Sequence, residues 1–294
     1  HLINWVHKIM KLGQKLAIVN NGATNSYCDK SDSKQVFGTF EWASHNANFI
    51  SGCQHDCKYC YSKEMAIRFH KKTPGNWHIE EVRTHSLTRK FKRVDGTIMF
   101  PSSHDIHPEH LKECLLFLGN ILASGNQVLV VTKPHLECIQ AICEKFGQFK
   151  NNILFRFTIG SADSSNLEFW EPGAPSFPER IEALKWAFHS GFNTSISCEP
   201  MLDDTIEDVI RITSPFVTDC IWIGKANFLL RRLKLNGVGD SVTLEKASEL
   251  LADQSEENIL GLFSKFSDNP KVKWKESIKK IVDIDVPTQK GLDI

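Results

Sequence analysis

The chain has 294 residues, 41% hydrophobic and 24% charged, with 35 lysines and arginines against 35 aspartates and glutamates. This excludes a disordered or fibrous protein and leaves room for one large α/β domain or two small ones. The charge balance excludes the overall basic field of an obligate nucleic-acid binder, while a local basic groove stays open. No apolar run is long enough to cross a bilayer, and the stretch from His1 to Lys15 is too basic and interrupted for a signal-peptide core. The expectation is a cytoplasmic protein with no membrane partner. There is no initiator methionine, so His1 and Leu2 are read as a remnant or processed end and set aside. Nine cysteines, an odd number, then point to metal binding or buried thiols rather than a disulfide framework.

Residues 1–45 mix apolar and turn residues and read as an N-terminal extension. Short β-branched runs follow near 48–51 and at 97–100, 127–132, 153–159, 194–198 and 220–223, each with the character of a buried strand. Between them, apolar residues recur every three or four positions at 111–122, 136–146, 180–188 and 206–212, as in amphipathic helices. Pro178 suits the first turn of one helix and Gly191 its stop. Alternation of β and α at this spacing calls for parallel strands with right-handed crossovers. Six such units fall short of the eight of a closed barrel. The expected architecture is α/β: a partial (β/α)6 barrel over 46–228, with a helical, lysine-rich C-terminal extension over 229–294.

The chemistry concentrates in Ser51-Gly52-Cys53-Gln54-His55-Asp56-Cys57-Lys58-Tyr59-Cys60-Tyr61, between the first strand and a helical stretch at 62–69. Cysteines separated by three and two residues can wrap one small loop around a cuboidal iron-sulfur cluster, whose ligands are thiolates. Three ligands leave one iron open for a cofactor. The alternative is a non-catalytic binding protein in which Cys53, Cys57 and Cys60, with His55 as fourth ligand, hold a structural zinc. Placement after a barrel strand favours the cluster, because such barrels carry their sites at the C-terminal strand ends.

This spacing, with the aromatic Tyr59 before the third cysteine, resembles the signature of the radical S-adenosylmethionine superfamily. Glu41-Trp42, the cysteine loop and its following helix, Ser102-Ser103-His104-Asp105, Thr132-Lys133-Pro134 and Cys198-Glu199-Pro200 resemble the branch containing spore photoproduct lyase and related phage and bacterial proteins, over residues 37–228. The resemblance implies a 4Fe-4S cluster on the three cysteines and S-adenosylmethionine as second cofactor. It further implies reductive cleavage to a 5'-deoxyadenosyl radical and an external one-electron reductant of flavodoxin or ferredoxin type. It places the adenine near Tyr59, the methionine amino group near Ser102 and Ser103, the carboxylate near Lys133, and the ribose near Thr158 and Ser161. The lyases carry a donor cysteine beside their second-strand serine, where this chain has Pro101 and Ser102; that departure weighs against DNA repair. The substrate, nucleic acid or peptide, stays open.

Ser103, Lys133, Arg156, Ser161 and Glu199 sit at or near predicted strand ends, so they are expected to converge on one face. An arginine inside 154–157, and a glutamate directly after an apolar strand, each need a partner. For Arg156 the candidates are the cofactor, Glu199 or Asp163. Cys198 is either a hydrogen donor to a substrate radical or a small buried residue. His104, His107 and His110 have metal-like spacing, but Pro108 breaks the helix that would align them, leaving turn and cap duty. The proline-rich loop 170–178 is either a wall over the site or a rigid connector. The tail around Lys271, Lys273, Trp274, Lys275, Lys279 and Lys280 suits single-stranded nucleic acid, an acidic peptide, or simply a solvated face.

Overall fold

Nine strands form in chain order among the described residues, 36–292, of this computed structural model. They are β1 (His45–Asn46), β2 (Ile50–Ser51), β3 (Glu81–Val82), β4 (Thr97–Phe100), β5 (Gln127–Thr132), β6 (Ile153–Thr158), β7 (Asn193–Cys198), β8 (Ile221–Ile223) and β9 (Val272–Trp274). Seven make one sheet in the order β1-β4-β5-β6-β7-β8-β9, every pairing parallel. β2 and β3 form a separate antiparallel pair. Helices occupy the crossovers, among them Leu111–Ala123, Leu136–Phe146, Phe177–His189 with Pro178 in its first turn, and Ile206–Thr213. The expected α/β partial barrel is therefore present. Most of the expected N-terminal extension, residues 1–35 with His1 to Lys15 among them, lies outside the described residues.

Strand alternation sorts the side chains into two environments. Ile98, Phe100, Val128, Val130, Phe155, Phe157, Ile196 and Cys198 point toward the helices and join the main core. Met99, Leu129, Val131, Leu154 and Trp222 point the other way and pack with Trp42 inside the curl of the sheet. Register carries the inner face across the strands, Val131 opposite Arg156 and Arg156 opposite Ser195. Fully burying one large apolar side chain contributes about 1.5–3 kcal/mol, so the helix-side layer dominates the stability.

Two features depart from the sequence expectation. The first sheet strand is His45–Asn46, while Ile50–Ser51, expected near the same ladder, pairs with Glu81–Val82. Asn48 accounts for the slip, since its side-chain amide is committed to the residues after β4. Second, the lysine-rich tail supplies β9 and then turns inward. Trp274, Lys275 and Lys279 are buried, which corrects the reading of these three as part of an exposed binding or solvated face, while Lys271 and Lys273 are half-buried and Lys280 is exposed. Lys275 Nζ lies 2.6 Å from Glu41 and 3.3 Å from Glu199, and donates to Gly38 O at 3.1 Å. A lysine in so dry a place requires such anionic partners. Glu41 precedes β1 and Lys275 follows β9, so the sheet curls until the segments flanking its two edges touch. No β1–β9 ladder forms among the described residues, nor is any helix there long and apolar enough to cross a membrane.

Candidate active site

A cavity of about 440 Å³ opens at the C-terminal strand ends, within the size range of cofactor sites. Cys53, Cys57 and Cys60 all line it, with Tyr59. The loop that carries them is held on every side. Gly52 has φ +101°, and a Cβ there would stand 2.3 Å from Ile79 O, so glycine alone fits the entry to the loop. Lys58 N donates to Trp170 O at 2.9 Å. Asn236 Nδ2 donates to the carbonyls of Lys58 and Cys60 at 2.9 and 3.0 Å. Cys60 caps the helix Tyr61–Arg68, its sulfur accepting from Lys63 N at 3.4 Å. A helix N-terminus favours a thiolate over a thiol. Burial pushes all three thiols above their ordinary range, so a ligand that takes up thiolates must displace their protons.

The donor set fits an iron-sulfur cluster: three thiols on one pinned loop, each able to meet a different iron. Among the described residues, no three Cys, His, Asp or Glu groups are placed to share a single ion. His55, the fourth ligand of the zinc alternative, is engaged elsewhere. Its Nδ1 faces Asp105 Oδ2 at 3.1 Å and its Nε2 faces His135 Nε2 at 2.9 Å.

Asp105 joins the strand ends to the cysteine loop. Besides His55 it accepts from Ile106 N at 2.8 Å, from Lys133 N at 3.1 Å and from the Thr132 hydroxyl. Burial alone would raise its pKa, but His55, Lys133 and these hydrogen bonds hold it well below the usual carboxylate range. Asn48 fixes the end of β4 similarly: its Oδ1 accepts from Ser102 N and Ser103 N at 2.8 and 2.9 Å, and its Nδ2 donates to Ser102 Oγ at 2.8 Å.

Behind the loop, Glu171 is fully buried, accepting from the Tyr59 hydroxyl and from Arg180 Nη2 at 2.5 Å, with Lys133 Nζ 4.0 Å away. Burial raises the Glu171 carboxyl, yet Arg180 and Lys133 outweigh it and the net shift is downward. Burial likewise opposes the Lys133 charge, but Cys57, Tyr59, Glu171 and Asp105 hold that ammonium well above the ordinary lysine range. The loop 170–178 packs against the back of the cysteine loop. Gly173 N donates to His55 O at 3.1 Å, and a Cβ at Gly173 would lie 2.2 Å from Gln54 O.

Of the residues singled out from sequence, Tyr59, Ser102, Ser103, Lys133, Thr158 and Glu199 line this one cavity with the three cysteines. Glu199 meets Lys275, and burial raises its carboxyl against the lowering effect of that lysine. Three residues stand apart. Arg156 is fully buried, donates to Ser195 Oγ at 3.0 Å and Asp219 at 3.1 Å, and lies 4.8 Å from the Trp42 ring; its partner is neither Glu199 nor Asp163. Ser161 donates to the Asp203 carboxylate, tying the β6 loop to the β7 loop. Cys198 packs in the helix-side core, because Ser197 takes the inward position. His107 Nδ1 accepts from Glu109 N at 3.3 Å, the cap duty expected of it. Asn48, Asp105 and Glu171 were not marked by sequence as site-forming; the adjacency of Asp105 to Ser102-Ser103 was the only local signal.

The parallel, curled sheet with its cavity at the strand ends defines a partial (β/α) barrel. Among solved structures, a doubly substituted spore photoproduct lyase with bound AdoMet and dinucleoside spore photoproduct superposes with TM-score 0.53 at 14% identity, over 86% of this chain and 87% of that one. A singly substituted lyase with the dinucleoside gives TM-score 0.50 at 15% identity over 71% of this chain, and 64% of the lyase chain is spanned. The chain has the fold of these lyases. In sequence it is 28% identical over 179 residues to an uncharacterised protein of Methanocaldococcus jannaschii, covering 59% of this chain and 67% of that protein. It is 23% identical over 216 residues to an uncharacterised protein of Acidianus two-tailed virus, 67% of each. No protein-family model matches.

Proposed function

We propose that the protein is a radical S-adenosylmethionine enzyme whose cluster-binding residues are Cys53, Cys57 and Cys60. The observation that carries this is the placing of three thiols on one pinned loop, inside a strand-end cavity that also holds the half-buried cation Lys133. Cys53, Cys57 and Cys60 would hold a 4Fe-4S cluster with one open iron, which would supply the one-electron reduction of S-adenosylmethionine, drawn from an external donor of flavodoxin or ferredoxin type, to methionine and a 5'-deoxyadenosyl radical able to take a hydrogen atom from a substrate.

The chain's own residues bind, orient and exclude water. Lys133 offers its ammonium to the methionine carboxylate, a charge-assisted pairing. The Ser102 and Ser103 hydroxyls, or Glu199, accept from the methionine ammonium. Thr158 stands on the neighbouring strand toward the ribose, and the Tyr59 segment toward the adenine. Ser161 and Arg156 act on the loops and the floor rather than on the cofactor. Phe228, Leu229 and Arg232 line one side of the cavity, where they limit the access of bulk water to the reacting carbon. The lyase structure that binds AdoMet on this fold supports the reading; the relatives' dinucleoside is that protein's own ligand.

The test is anaerobic reconstitution with iron and sulfide, reduction with S-adenosylmethionine present, and chromatography for 5'-deoxyadenosine. The parent yields the nucleoside and Cys57→Ala does not. Bound iron without nucleoside under strong reductant would sink the reading, and stoichiometric zinc in a colourless protein would replace it with the structural-metal alternative.

A further inference from the structure

The protein is neutral overall, yet one surface at the cavity mouth is one-sided. Two helices begin there: Tyr61–Arg68, whose first residue Tyr61 lines the cavity, and Leu229–Leu235, whose capping residue Phe228 also lines it. They lie side by side, clipped by Glu64, which meets Arg231 at 2.6 Å and Arg232 at 3.4 Å. The first presents aromatic and apolar side chains to solvent in helical register, and the second exposes Phe228 at its cap and Leu230 in its first turn. On the first helix Tyr61, Met65 and Phe69 recur every four residues at 42%, 41% and 57% exposure. On the second, Phe228 is 69% exposed in a left-handed conformation (φ +56°) that turns it outward, followed by Leu230 at 47%.

Between these groups stand cations. Arg68 lies 5.9 Å from the Phe69 ring, Arg232 5.9 Å from the Phe228 ring, and Lys71, Arg231 and Lys234 are exposed beside them. The acid on these two helices, Glu64, is buried and already neutralised by the arginines. Exposed aromatics interleaved with arginine, without exposed acid, form a platform on which unstacked bases sit while phosphates meet the cations. An acidic peptide would use the charge but leave the aromatic faces unemployed; a duplex keeps its bases stacked and could use only the charge.

We propose that this surface is a docking strip for single-stranded nucleic acid, leading a strand toward the strand-end cavity. Tyr61 and Phe69 are separated along the helix by about 12 Å, a span of roughly two nucleotides. The strip deepens the enzyme reading by giving its substrate a class, and as a substrate site it rests on that reading. The strip replaces the tail around Lys275, which is turned inward, as the nucleic-acid surface.

The test is fluorescence anisotropy of the full chain, without cluster or cofactor, against labelled single-stranded RNA, single-stranded DNA and duplex DNA of about a dozen nucleotides, each at several salt concentrations. The two single strands are expected to bind more tightly than the duplex, with a log-log salt slope of about −2 for Arg68, Lys71 and Lys234, the three exposed cations not paired to Glu64. Phe69→Ala, remote from the cavity lining, is expected to weaken single strands at least tenfold and the duplex less. Arg68→Gln with Lys234→Gln is expected to flatten the slope by about 1.4. Circular dichroism of each variant shows whether it is folded. Equal affinity for duplex and single strand, an unchanged Kd in folded Phe69→Ala, or tighter binding of an acidic amphipathic peptide than of either strand overturns the proposal. Failure here leaves deoxyadenosine formation untouched, and failure of deoxyadenosine formation leaves these affinities standing.

Discussion

Arg156, buried on β6, and Lys133, half-buried just past the end of the neighbouring β5, are both cations of the strand-end region, and they are handled differently. Arg156 is used up within the protein: Ser195, Asp219 and the indole of Trp42 take its donors and its face. Lys133 sits among Tyr59, Glu171 and Asp105, with Glu171 at 4.0 Å, a distance too long for a tight hydrogen bond, and open cavity in front of it. A buried charge with its hydrogen bonds made is architecture, and one held beside empty space is available to a ligand.

The largest expected break of this comparison comes from Glu171, which supports the Lys133 side. Glu171→Ala leaves Arg180 and Lys133 without their shared carboxylate and is expected to cost about 3–5 kcal/mol, read from the urea midpoint. A loss below about 1 kcal/mol would mean the network is not structural. Lys133→Ala should leave the midpoint nearly unchanged and weaken S-adenosylmethionine about 10- to 100-fold by calorimetry on reconstituted protein, the worth of one charge-assisted hydrogen bond. Arg156→Met should do the reverse, costing about 2 kcal/mol of stability while leaving that affinity within twofold; an affinity loss like that of Lys133→Ala would erase the distinction between the two cations.

The last test concerns the latch between the edges. Burial raises the Glu41 carboxyl from 4.5 to about 7, against the lowering effect of Lys275. A carboxyl with a raised folded-state pKa binds its proton more tightly when folded, so its contribution is full below pH 4.5 and is lost as pH rises to about 7. Denaturation midpoints measured across that window should fall with pH in the parent protein and less steeply in Glu41→Gln. Equal slopes would place the titration elsewhere.

The outward strand faces were legible from sequence because alternating Ile, Val and Phe leave few other choices, and β4 to β8 fall within a residue or two of their expected spans. The cysteine loop was legible because its spacing is local. What escaped depends on partners far along the chain. β1 moved because Asn48 is bound to residues after β4. β9 is three residues alternating with lysine, and nothing nearby says that Lys275 finds Glu41 and Glu199. Cys198 was placed beside the chemistry by proximity to Glu199, whereas a two-residue strand period turns neighbours to opposite faces. Glu171 was hidden in a proline-rich loop that read equally as a wall over the site or a rigid connector, with no local signal for its carboxylate.

The contact between Lys275 and Gly38 spans 237 positions, which gives the protein an order of events as it leaves the ribosome. The cysteines emerge well before the amide of Asn236 that clamps their loop and before β9, which closes the far edge of the sheet. Contacts of such long separation form slowly, because loop closure must precede them. Until Asn236 docks, the loop that carries the three thiols lacks the clamp on its carbonyls, so those thiols are expected to be most open to oxidation before the later part of the chain folds.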